Sequence, residues 1–155
     1  MNLKAFASLT LLAVMAFAAS AHAASDLQLA PALSFTDDSS SNFPIAGRSI
    51  GDASVASDRA TIMFFGTAHC WNTNREAERL VALYPKYKNK IDFVIVDLDH
   101  ATAAQQPLIA RYYHGAIPTI AVVDSKGNVL YDEAGETASK RGDTSGLQAL
   151  LDSAK

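Results

Sequence analysis

The apolar positions of this chain fall into short blocks whose spacing changes along the sequence. Thr61-Ile62-Met63-Phe64-Phe65 is a continuous β-favouring run closed by Gly66, the pattern of a strand buried on both faces. After Cys70 the period lengthens. Ala77, Leu80, Val81, Tyr84 and Tyr87 recur at helical spacing on one face, with Arg75, Glu78, Arg79 and Lys86 directed elsewhere. Pro85 is expected to bend or end that helix near its close. Ile91–Leu98 reads IDFVIVDL, a second buried strand. Pro107–Tyr113 suits a short helix, with Pro107 tolerated in its first turn. Ile120–Val123 and Val129–Tyr131 flank Asp124-Ser125-Lys126-Gly127-Asn128, which is a hairpin signal. Thr144–Ala154 places Leu147, Leu150 and Leu151 at helical spacing, with Asp143 or Thr144 as the cap. Nearer the start, a short strand is expected at Ala32–Phe35 and a short helix at Ile50–Ser57. The order strand, helix, strand, helix, strand, strand, helix implies an α/β fold. Its sheet is mixed, with helices on both faces.

The first residues read as an address rather than a fold. Lys4 supplies a positive start, and Leu9–Ala19 is apolar but short of the roughly 20 residues that span a bilayer. Ala21-His22-Ala23 is the small-x-small pattern of a cleavage site. The expectation is a signal peptide over 1–23, with an uncleaved membrane anchor as the alternative. A polar lead over 24–57 and one folded domain over 58–155 follow. The mature protein is then periplasmic or secreted, without stable membrane insertion.

Composition narrows the partners. The chain has 155 residues, 49% hydrophobic and 19% charged, which excludes a disordered polymer. Net charge is −3, and the only basic series is Lys86, Lys88 and Lys90, the solvated end of a helix. Nucleic acid is therefore not expected as a partner. No cofactor is implied.

One cysteine, Cys70, is present. In an exported chain an odd cysteine means an intermolecular partner, a reactive thiol or a buried inert side chain. Its place at a helix start argues for reactivity, because free backbone N–H groups and the helix dipole favour an anion there. Thr73, three residues on, can donate its hydroxyl to the thiolate. His69, when protonated, and Arg75 add positive charge. The competing reading makes Cys70 a small buried hydrophobe. A metal site built from Cys70, His69 and His114 lacks any closely spaced ligand pair, and none is expected. His100 reads as a solvated loop residue.

The element order, with a cysteine just after the first buried strand, resembles the thioredoxin-like superfamily. Three stretches carry the resemblance: Phe64-Phe65-Gly66-Thr67-Ala68-His69-Cys70, Val96-Asp97-Leu98-Asp99, and Ala116-Ile117-Pro118-Thr119, which is similar to the family's cis-proline loop. Gly135 after the hairpin also fits. The match runs over roughly residues 58 to 153. The resemblance implies a thioredoxin-like fold and thiol–disulfide chemistry at Cys70. It also implies that Ile117 and Pro118, with Trp71, receive an extended substrate. Trp71 can instead pack over the helix start. Departures from the family pattern are concentrated at the site. Its second cysteine falls on Thr73, its preceding tryptophan on His69, and its intervening Gly-Pro on Trp71-Asn72. Its buried acid falls on Phe64 and its lysine on Ile95. What remains is a monothiol variant that forms mixed disulfides with protein thiols or disulfides, or with glutathione. The alternative is a binding module that kept the fold and lost the redox chemistry. The polar Gly135–Gly146 loop suggests no role.

Overall fold

A computed structural model of the chain describes residues 26–46, 58–134 and 144–154. The apolar run that begins the domain becomes β3 (Ala60–Gly66), buried at all seven positions. It is buried because it lies inside the four-stranded sheet, between β4 (Ile91–Asp97) and β5 (Thr119–Val123), with β6 (Val129–Ala134) at the edge. β3 and β4 are parallel, in register from Ala60↔Ile91 to Gly66↔Asp97. β5 runs antiparallel to β3, and β6 antiparallel to β5. Two shorter strands, β1 (Gln28–Leu29) and β2 (Ile45–Ala46), pair antiparallel in a small separate sheet.

The parallel β3–β4 pair requires a crossover, and α1 (Trp71–Tyr87) supplies it. Ala77, Leu80, Leu83, Tyr84 and Tyr87 of α1 pack with Ile62, Phe64, Phe93, Ile95 and Ile120. Leu147 and Leu151 of α3 (Thr144–Ser153) join the same cluster. The other face of the sheet, with Met63, Phe65, Val94, Val96, Ala121 and Val123, is covered by Leu108 and Tyr112 of α2 (Gln106–Tyr112). Period-2 alternation along each strand thus feeds two cores, and the expected α/β mixed sheet flanked by helices on both faces is what the chain forms.

Several local expectations are corrected. Ala32–Phe35 is not a strand. Ala32 takes φ of +58°, in the left-handed region, which breaks an extended run. The Ser34 and Phe35 carbonyls are committed to side chains of α1, and the strands of this segment are β1 and β2 instead. Arg79 does not face solvent. It is buried and paired with Glu76, one turn back on α1, at 2.8 Å. As expected, Pro85 lies near the close of α1, which runs two residues further to Tyr87, with the Lys88 N–H donating to Tyr84 O at 2.9 Å. A single 3₁₀ turn, Ala103–Gln105, precedes α2. The Gln105 amide donates to Ile95 O at 3.2 Å, tying the turn to the sheet. Thr144–Gly146, expected at the end of a polar loop, belong to α3. The 1–23 leader, the Ile50–Ser57 helix, Gly135 and the Asp143 cap lie outside the described residues. Among the described residues no helix is long and apolar enough to cross a membrane.

Candidate functional site

The sheet brings two loops to one end. β3 runs out at Gly66 into Thr67, Ala68, His69 and Cys70, and α1 begins at Trp71. Phe65 pairs with Thr119, so Ile117 and Pro118, which lead into β5, lie at that same end of the sheet. The Ile117–Pro118 peptide is cis. Pro118 is buried and Ile117 partly exposed.

Cys70 is the N-cap of α1, with extended backbone at φ −138° and ψ 106°. Its thiol is free, and the residue is partly exposed. Its carbonyl opens the helix ladder, accepting from the Asn74 N–H at 3.1 Å, but its side chain makes no cap hydrogen bond. His69 is exposed and holds φ of +53°, a conformation in which histidine is among the better tolerated residues. Trp71 is partly exposed, with the Arg75 guanidinium 4.8 Å from its ring centre.

Thr73 occupies the third position of α1 and is completely buried. Its Oγ1 has no hydrogen-bond partner, so the expected bond from Thr73 to the thiol is not formed in this structure. Its Cγ2 methyl faces Gly66. A Cβ at Gly66 would collide with that methyl and also press on the Phe64 ring at 3.1 Å. This is a close approach that only glycine permits. Phe64 and Ile95, which stand where the resemblance places an acid and a lysine, are direct cross-strand partners and both fully buried. A hydrophobic pair fills the space beneath the helix start.

The lead segment supplies contacts that the sequence pattern does not reveal. Residues Ser34 to Ser40 fold over the beginning of α1. Asp38 Oδ1 accepts the Trp71 N–H at 2.9 Å. Ser40 O accepts the His69 N–H at 3.1 Å. The buried Asn74 amide donates to Ser34 O at 2.6 Å and to Ser40 Oγ at 2.9 Å. Arg75 Nε donates to Phe35 O at 2.9 Å. Asp37 braces this turn. Its carboxyl is held below the usual carboxylate range by hydrogen bonds from Ser39 and Ser34. The run Asp37-Asp38-Ser39-Ser40 is rich in capping residue types. That is the one signal a sequence reader has for this contact, because its partner lies more than thirty residues away.

His100 and His114 are each bonded to an aspartate. His114 Nε2 bonds Asp132 Oδ2 at 2.7 Å. His100 Nδ1 bonds Asp97 Oδ2 at 2.9 Å, and that bond raises its pKa above the ordinary histidine value. Among the described residues no three metal-ligating side chains come together.

No protein-family model matches this chain, and no curated protein sequence matches it. Solved structures do resemble it. A Chlorobium tepidum protein provisionally assigned as the thiol:disulfide interchange protein DsbE superposes with a TM-score of 0.52 at 18% identity, over 64% of this chain and 82% of that one. The germline-specific thioredoxin Deadhead of Drosophila melanogaster superposes at 0.48 with 20% identity, over 63% of this chain and 83% of that one. A malaria parasite thioredoxin-2 superposes at 0.48 with 19% identity, over 61% and 82%. At such identities the likeness is one of fold. The chain has an α/β thioredoxin-like fold.

Proposed function

We propose that this protein carries out thiol–disulfide exchange through Cys70 alone, outside the cytoplasm. One observation carries the reading: a free thiol on a partly exposed residue at the N-cap of α1, at the sheet end where Ile117 and Pro118 enter β5. The Cys70 thiolate attacks a disulfide of its partner. A new S–S bond forms to Cys70, the partner's S–S bond breaks, and the departing thiolate takes a proton from solvent. A second thiol, from the partner or from glutathione, then attacks the mixed disulfide and frees Cys70. No electrons are gained or lost overall, so one cysteine suffices. Ile117, Pro118 and Trp71 receive the extended substrate segment in this reading, and the 1–23 leader directs export to the periplasm or beyond.

A second reading has its own support. Asp38 already occupies the first N–H of α1, and the Phe64–Ile95 pair offers no proton relay. Both suit a binding module without turnover.

Rearrangement of a scrambled-disulfide protein in a glutathione buffer separates the two. The exchange reading expects acceleration by the wild type and none by Cys70→Ser. It also expects no turnover at thioredoxin-like rates with a thioredoxin-reducing system. A wild type as inert as Cys70→Ser would leave the binding module.

A further inference from the structure

Cys70 does not cap its own helix, and a residue from far away in the sequence does. A carboxylate at a helix N-terminus is ordinary when it serves stability. Here it sits on the N–H of the residue that directly follows the thiol. That N–H belongs to the peptide carrying the Cys70 carbonyl. Covalent geometry therefore keeps the Asp38 carboxylate within about 8 Å of Sγ. At that distance its charge is only partly screened at physiological salt. The contact is also aimed rather than incidental. Ser34 and Ser39 hold Asp37 beside it, Asn74 pins Ser34 and Ser40, and Ser40 takes the His69 N–H. Opposing it at the helix start are the Arg75 guanidinium, bonded to Phe35 O, and the exposed His69 ring.

We propose that Asp38 is a positioning residue that sets the reactivity of Cys70. It occupies the first N–H of α1 with a carboxylate, so the thiolate forms beside a negative charge instead of at a vacant helix terminus. The lead segment is thereby a control element for the thiol as well as packing for the domain. This inference rests on the reading of Cys70 as an exchange thiol.

The test is alkylation of Cys70 by iodoacetamide, a neutral reagent, at neutral pH in the full chain. Wild type, Asp38→Asn and Asp38→Ala are compared. Asp38→Asn keeps a carbonyl oxygen for the Trp71 N–H and removes only the charge. Both variants are expected to react about 2- to 5-fold faster than wild type at low salt, the range for one charge at a helix end. The gap should shrink at high salt. A purely structural cap predicts otherwise: Asp38→Asn behaving as wild type, with Asp38→Ala alone altered. That result overturns the proposal, and so do equal rates in all three proteins. Should both variants fail to fold, the wild-type rate decides. A rate that rises with ionic strength supports the proposal, and a rate that is flat or falls overturns it. A wild-type thiol that reacts fast but indifferently to Asp38 removes this inference and leaves the exchange reading standing. A Cys70 that reacts no faster folded than denatured in every variant removes both.

Discussion

Gly66 shows how tightly the residues around the thiol are fitted. Its missing Cβ is the space taken by the Thr73 methyl, and Thr73 is fixed in a fully buried position on α1. Gly66→Ala must push Thr73 or the Phe64 ring aside, and an overpacking cost of about 1–3 kcal/mol is expected. Urea denaturation of the variant checks this, and an unchanged midpoint would mean that the helix start yields easily. Thr73→Val asks a different question of the same spot. It removes a buried hydroxyl that has no partner, so stability should hold or rise by about 1 kcal/mol. His100 gives a pH-dependent case. Its bond to Asp97 raises its folded pKa, so the stabilisation is complete below the unfolded value of about 6.5 and is lost as pH rises through the folded value. Melting temperatures of wild type and His100→Asn should therefore differ on the acid side of that window and converge above it. A difference that grows towards alkaline pH would contradict the assignment.

Among the elements, the lead contributes more than its polar composition suggests. Leu27, just before β1, and Ile45 in β2 belong to the same core cluster as α1 and α3. Leu27→Ala or Ile45→Ala is expected to cost about 2–4 kcal/mol, as for other buried aliphatic truncations. A change below about 0.5 kcal/mol, typical of surface sites, would show that the lead is only an appendage. The domain's own elements were legible because each has one period. Phe93–Val96 is a continuous apolar run, and Ala77, Leu80, Tyr84 and Tyr87 mark a helical stripe that is buried as expected. The Glu76–Arg79 pair is a local i,i+3 contact on α1, but its burial is tertiary and charge alone gives no sign of it. Ala32–Phe35 was misread because its apolar residues gave no hint of a left-handed Ala32.

At the scale of the whole molecule, the site joins pieces that local pattern cannot connect. Cys70, Trp71 and Thr73 announce themselves by their place after a buried strand, and Pro118 by its loop. Asp38, Ser40 and the role of Asn74 do not, because hydrogen bonds spanning 33 to 40 residues leave no periodic trace. The hydrophobic Phe64–Ile95 pair and the docked lead together give a thioredoxin-like fold whose first helix is capped from outside the sheet. The exchange reading requires that the folded environment activate Cys70. The most direct measurement is the rate at which Cys70 takes up glutathione from oxidised glutathione at neutral pH, in the folded chain and in denaturant. Intact mass follows the adduct, and reduced glutathione then discharges it. The account predicts uptake at least about 10-fold faster in the folded chain than in the denatured one, and full discharge. Uptake that is equal or slower when folded would contradict it.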